Sequence, residues 1–185
     1  MIQIMIGPKN RWFNVIKRCI MIFPKFNNGH IIDKIREQYD PLALHVKPHV
    51  TLVFPFESNF ETVELQEYLS AVLAETNPFE LILSGVTLTG SGEYLFLNVQ
   101  KGIDELIDMH KKLYTGILNE FMPEWLKSIK YCPHMTIGCA NKNVFEKAFE
   151  KLEHLKDSFE TIVKEVNIEI IDENDNSIIE IIHRL

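Results

Sequence analysis

The chain has 185 residues, 46% hydrophobic and 24% charged, with eight glycines and eight prolines, a composition that excludes collagen-like, low-complexity and disordered chains. Its 19 basic and 26 acidic side chains leave a formal charge of −7, which argues against broad clamping of duplex DNA, since that affinity comes from neutralising many phosphates. A single phosphate or an RNA end remains a suitable partner.

Residues 1–17 read as an N-terminal extension with neither a basic region nor a leader core. A buried strand is predicted over 18–24, and its apolar run, the six residues from Cys19 to Pro24, is far below the roughly 18 needed to cross a membrane. The NNG at 27–29 turns into an amphipathic helix from His30 to Tyr39, striped by Ile31, Ile32, Ile35 and Tyr39 and stopped by Asp40-Pro41. A proline-bounded strand follows at 48–55. A helix over about 61–75 buries Val63, Leu65, Leu69, Val72 and Leu73, and strands at 79–88 and 93–99 form a hairpin through the Thr-Gly-Ser-Gly turn at 89–92. The spacing of Leu106, Ile107, His110, Leu113, Tyr114 and Ile117 predicts a helix over 103–120. A second proline-led strand at 133–137 leads to a helix capped by Asn141 or Asn143 and using Val144, Phe145, Ala148, Phe149 and Leu152. Strand character then runs from Phe159 to Ile171 and, after a DENDN turn, from Ser177 to Ile182. No Pro/Gly/Ser-rich linker divides the chain, so residues 1–185 read as one bilobal domain. Cys19, Cys132 and Cys139 make no even disulfide set and no CxxC, which favours a reducing compartment and a cytoplasmic location.

The informative feature is an internal match. Pro48-His49-Val50-Thr51-Leu52 and Pro133-His134-Met135-Thr136-Ile137 share the form Pro-His-apolar-Thr-apolar, 85 positions apart. On a strand, residues i and i+2 share a face, so His49 with Thr51, and His134 with Thr136, can line a cavity while Val50, Leu52, Met135 and Ile137 enter the core. Two imidazoles with an ordinary pKa near 6.5 can divide the roles of proton acceptor and donor, and two hydroxyls can hold the nonbridging oxygens of a phosphate. Taken singly, each histidine is accounted for by a structural role and each threonine by strand propensity; the repeat sets them apart. His45 stands four residues before His49, but Lys47-Pro48 implies extended chain, where that spacing does not assemble metal ligands.

With these two motifs, and with the stretches IREQYDPLALHVKPHVTLVFPF and PHMTI, the chain resembles the 2H phosphoesterase superfamily over residues 18–185, in particular its bacterial 2′-5′ RNA ligase-like and cyclic phosphodiesterase branch. The resemblance implies an α+β fold, bilobal and duplicated about a pseudo-two-fold, with two antiparallel sheets lining a central groove and helices outside. It implies His49 and His134 as the proton-transfer pair and Thr51 and Thr136 as phosphate-binding residues, with no metal and no cofactor. The expected activity is metal-independent hydrolysis of a 2′,3′-cyclic phosphate on a nucleotide or short RNA end. Two alternatives stay open: 2′-5′ ligation or cleavage of RNA, and noncatalytic RNA or nucleotide binding. Lys47 and Lys130 are candidates for local positive potential, and Phe54, Phe56, Trp125 and Tyr131 for stacking a nucleobase, although solvent exposure and core packing account for each of these as well.

Overall fold

The computed structural model describes residues 15–89, 93–139 and 148–185. In chain order these form β1 (Ile16–Ile22), α1 (His30–Tyr39), β2 (Val50–Ser58), α2 (Thr62–Val72), β3 (Phe79–Leu88), β4 (Tyr94–Lys101), α3 (Ile103–Leu113), two 3₁₀ turns (Gly116–Phe121 and Glu124–Lys127), β5 (His134–Cys139), a helical segment at 148–152, β6 (Ser158–Val163), β7 (Glu165–Ile171) and β8 (Ser177–Arg184). The tip of the expected 89–92 turn and the expected cap and first turn of the fourth helix, with Val144 and Phe145, lie outside the described residues. Ala148 is buried, and Phe149 and Leu152 pack against the core as expected.

Each strand pair is antiparallel, and the described strands form one sheet in the order β6-β3-β4-β5-β2-β1-β7-β8. The two sheets expected from the resemblance are therefore hydrogen-bonded into one. The join between the four-strand halves is a single register pair, Val50 opposite Met135. The sheet must also curl. β6 and β7 lie six strand spacings apart, about 29 Å if flat, yet only Lys164 separates them in sequence, and that link spans at most about 7 Å. The edge carrying β6 is thus brought round towards β7, and Asn28 Nδ2 donating to the Ser158 carbonyl at 3.0 Å ties the β1–α1 loop to β6.

Residue alternation decides which face does what. Val50, Leu52, Met135 and Ile137 are fully buried in the main core, joined by Ile20, Ile22, Leu95 and Leu97. The helices cover this face: α1 packs on β5, α3 on β2 and α2 on β8. On the other face Cys19, Met21 and Val46 make a small separate apolar cluster with Phe23 and Ile171, and the rest is open to the groove.

Several local expectations change. The helix expected over 103–120 ends at Leu113; Gly116, at φ +49°, takes a left-handed conformation that stops continuation, and beyond it Leu118 is buried while Ile117 stays exposed. Val63 is 58% exposed, because it sits about 200° around the helix axis from Leu65. The strand expected from Phe159 to Ile171 is two strands broken at Lys164, one in each half of the sheet. β1 begins at Ile16, inside the stretch read as an extension. Among the described residues no helix is long and apolar enough to cross a membrane.

Candidate active site

Val50 and Met135 are opposite one another and both point into the core. One step either way along an antiparallel register sets His49 opposite Thr136 and Thr51 opposite His134, all four on the groove face. Directly opposed positions have Cβ atoms about 4.5–5.5 Å apart, so the two motifs meet in one site, and the rings are near enough that charge on His134 depresses the pKa of His49.

Each ring is oriented by the same local contact. His49 Nδ1 lies 2.8 Å from the Lys47 carbonyl oxygen, and His134 Nδ1 lies 2.8 Å from that of Cys132, in both cases two residues back. A carbonyl only accepts, so Nδ1 carries the hydrogen on both rings and Nε2 is the nitrogen left to exchange a proton. No hydrogen bond among the described residues engages either Nε2. Aromatic rings fix the rest: Phe96 stacks on His134 at 3.6 Å and 21°, and Phe23 meets His49 edge-on at 6.0 Å.

Burial is the largest cause lowering the His49 pKa, to about 4. The Lys47 carbonyl opposes it by favouring the charged ring, the Arg36 guanidinium and His134 pull further down, and Asp40 pulls up. His134 is lowered from 6.5 by burial, opposed by the Cys132 carbonyl. Two cations bear on His49 where burial alone lowers His134, so His49 is the first ring to lose its proton.

A cavity of about 480 Å³ opens beside His134, walled by Thr51, Phe54, Phe96, Trp125, Lys130, Tyr131 and Thr136 among others. Phe54 and Trp125 meet edge to face at 4.9 Å. A second cavity of about 330 Å³ lies on the His49 side and shares the Thr51 wall. The site residues named from sequence are therefore together in or beside one groove, with two exceptions. The Lys47 side chain lines a different cavity with Lys25 and Asp33; its carbonyl, by holding His49, is the part that serves the site. Phe56 is 4% exposed and packs against Phe121 in the core, the side that alternation from Val50 and Leu52 assigns to it. The β1–β2 register slips twice, between Met21↔Thr51 and Ile20↔Val53 and again between Ile20↔Val53 and Arg18↔Phe56, so the two offsets cancel at Phe56, while Phe54, between them, is the aromatic turned to the cavity. His45 Nδ1 contacts Asn176 Oδ1 at 3.0 Å, and among the described residues no group of three or more His, Cys, Asp or Glu could hold a metal ion.

Sequence reasoning missed Tyr94 and Phe96, which share the groove face of β4 with Asn98 while Leu95, Leu97 and Val99 are buried; the alternation in 94–99 is the signal that could have found them. It also missed the frame behind β2. After its single pairing with β5, β2 is held by side chains: Tyr131 Oη donates to the Thr51 carbonyl at 2.7 Å, His110 Nδ1 to the Leu52 carbonyl at 2.7 Å, and Phe54 N to Tyr114 Oη at 3.0 Å. His110 and Tyr131 stack at 3.8 Å and 5°. Burial raises the Tyr131 pKa and pushes that of Tyr114 up to about 12, so both hydroxyls keep their protons. Tyr131→Phe is expected to cost about 1 kcal/mol in denaturant unfolding by stranding the Thr51 carbonyl; unchanged stability and unchanged phosphate affinity would remove Tyr131 from the frame.

The sequence matches a described family over residues 24–175, the 2'-5' RNA ligase superfamily. The chain belongs to this superfamily. Within the wider 2H phosphoesterase group it is 30% identical over 125 residues, 66% of its length and 69% of the relative's, to a Bacillus cereus (strain B4264) protein that carries a provisional phosphoesterase name. The fold of this superfamily member resembles the crystal structure of Escherichia coli LigT in apo form, with TM-score 0.60 at 14% identity over 93% of this chain and 98% of that one. A Thermus thermophilus protein, TT0787, gives TM-score 0.56 at 14% identity over 91% and 97%.

Proposed function

We propose that the protein is a cyclic phosphodiesterase that opens 2′,3′-cyclic phosphates on nucleotides or short RNA ends by paired-histidine acid–base catalysis. The observation that carries this reading is the matched pair of Nδ1-to-carbonyl contacts, which leaves two unengaged Nε2 atoms in one groove with two threonines between them. The similar E. coli protein has been crystallised with phosphate, with ATP, with NADP+ and with 3'-AMP, which supports a nucleotide phosphate as the ligand class. Membership of the superfamily supports a phosphoesterase.

The aromatic cavity takes the nucleobase, since stacking on aromatic rings tolerates any base, and this sets the ribose oxygens beside His134. Water then enters from the His49 side. His49 Nε2 accepts its proton as the oxygen attacks phosphorus, the P–O bond to one ribose oxygen breaks, and His134 Nε2–H protonates that oxygen. Thr51 and Thr136 donate to the nonbridging oxygens, where charge grows in the transition state. Every group in this scheme is a protein side chain.

The test is a substrate panel run with chelator present: 2′,3′-cyclic nucleotides, cyclic-phosphate RNA ends and 2′-5′-linked oligonucleotides, with product position identified. Turnover of the cyclic phosphates is expected to survive chelation. Loss restored by one divalent ion, with folding unchanged, overturns the scheme, and preferential cleavage or joining of 2′-5′ links selects that alternative.

The pH dependence has a definite sign. The active free enzyme carries a neutral His49 and a charged His134, so kcat/KM rises as pH climbs through about 4 and falls as His134 loses its proton below 6.5. The expected profile is a bell with an acidic optimum. A plateau extending above pH 7 would contradict the assignment of His134 as acid.

A further inference from the structure

The groove face of β4 changes character along its length. Tyr94 and Phe96 wall the aromatic cavity, Asn98 stands directly opposite His134 in the β4–β5 register, and Gln100 follows two residues, about 7 Å, further on. The neighbouring strand is shaped to match. Leu83 pairs with Val99 and Val86 with Leu97, so Ser84 and Gly85 together face Asn98, and Gly85 absorbs this bulge in the left-handed region at φ +73°. A Cβ on Gly85 would lie 3.6 Å from Asn98 Nδ2 and 4.0 Å from Gln100 Nε2; without a side chain there, both carboxamides stay uncovered. Each is tied at one end. Gln100 Nε2 donates to the Ser84 carbonyl at 2.9 Å, and since a carbonyl only accepts, Oε1 is the end left free. Asn98 Nδ2 donates to Thr87 Oγ1 at 2.9 Å; a hydroxyl takes either role, so the free end of Asn98 can accept or donate. No other hydrogen bond among the described residues engages these two side chains.

We infer that this ledge of Gly85, Asn98 and Gln100 is a ribose subsite, in which the two carboxamides read the 2′-hydroxyl of the nucleotide that precedes a cyclic-phosphate end. The inference rests on the phosphodiesterase reading and deepens it. The chemistry of the ledge makes the selection. Ser84, Gly85, Thr87, Asn98 and Gln100 carry no charge, so none of them neutralises a phosphate, and Lys101 beside them is engaged by Glu80. None of the five has a ring, so a second base finds no stacking partner there. A neutral hydroxyl fits. The 2′-hydroxyl both donates and accepts, so it can give its hydrogen to Gln100 Oε1 and meet Asn98 in either of its roles. Position agrees with chemistry: with the terminal base beside Phe96 and the reacting phosphate at His134, the strand continues past Asn98 towards Gln100.

The test compares kcat/KM for two dinucleotides, ApA ending in a 2′,3′-cyclic phosphate and the same molecule with a 2′-deoxyribose in its first nucleotide, with 2′,3′-cyclic AMP as the reference. Both dinucleotides undergo the same chemical step, so their ratio reports the preceding sugar alone and is independent of how much enzyme is active. The all-ribose dinucleotide is expected to be favoured about fivefold over the deoxy one, the effect of one neutral hydrogen bond. Gln100→Leu is expected to bring that ratio close to one, and Asn98→Leu to reduce it, so Asn98→Leu carries the test should Gln100→Leu not fold. Equal kcat/KM for the two dinucleotides in the wild type, or a ribose preference untouched in both folded variants, overturns the subsite while turnover of 2′,3′-cyclic AMP leaves the phosphodiesterase reading standing. No consumption of any cyclic phosphate by the wild type overturns both.

Discussion

Replacing either motif histidine by alanine is expected to slow the chemical step about 10²–10⁴-fold, with the fold intact. One ring cannot both accept the proton of water and deliver one to the departing ribose oxygen, and each ring's contacts are local: a carbonyl two residues back and one aromatic neighbour. Thr51→Ala and Thr136→Ala are expected to lose about 1–3 kcal/mol of transition-state stabilisation instead. Single-turnover rates on a cyclic phosphate, with circular dichroism to verify folding, separate chemistry from product release. If either histidine variant keeps the normal single-turnover rate, the acid–base pair is wrongly assigned; if both threonine variants also do, the phosphate sits elsewhere.

The largest loss of stability is expected from Arg36→Ala. Arg36 is buried; its Nε donates to Asp40 Oδ2 at 2.8 Å, its Nη1 to the Val46 carbonyl at 2.8 Å and its Nη2 to the Leu42 carbonyl at 3.4 Å. Asp40 in turn accepts from Leu42 N at 3.0 Å. This clamp shapes the 40–47 loop whose last carbonyl orients His49. Removing the guanidinium strands a buried carboxylate, at a cost of about 3–5 kcal/mol. Arg36→Met combined with Asp40→Leu removes both charges and is expected to recover most of that stability, yet not the activity, because the Val46 and Leu42 carbonyls stay unanchored and His49 loses its fixed orientation. Urea unfolding beside kcat/KM on the cyclic phosphate reads the two effects apart. A double variant with wild-type kcat/KM would show that the clamp does not position His49.

The helix from His30 to Tyr39 and the two histidine strands were legible because each follows one period without interruption: Ile32 and Ile35 on a helical face, and Val50 and Leu52 against His49 and Thr51 on a strand. Legibility failed where the period shifts. The bulge at Leu52 turns Phe54 to the cavity, where unbroken alternation would have buried it with Val50 and Leu52, and nothing local to Thr-Leu-Val-Phe announces an extra residue, since it exists only relative to β1. Lys164 divides two strands of similar composition, and their separation across the sheet depends on partners far away in sequence. The site's histidines and threonines came from a repeated local pattern. Phe54, Trp125 and Tyr131 of its aromatic wall are legible as candidate base-stacking residues, whereas Tyr94 and Phe96 of that wall and the hydrogen bonds of Tyr131, His110 and Tyr114 behind β2 depend on other elements and are found only once the register is known. Arg36 was invisible for another reason: a charged residue on an amphipathic helix is ordinarily solvated, and only the turn at Asp40 buries it.

The placement of β7 and β8 has a consequence for how the chain is made. The half-sheet carrying His49 consists of β2 and β1, both within the first third of the chain, and of β7 and β8, its last strands. As synthesis proceeds, β1 emerges with one edge unpaired and keeps it open until residues 165–171 leave the ribosome. Pairings that distant in sequence are slow to close, and an apolar strand held open in the meantime is a template for pairing with other chains. A nascent chain stalled before Lys164 would carry both histidine motifs and still be unable to complete the half that holds His49, so a premature stop ahead of β7 leaves the β1 edge open and the product prone to aggregate.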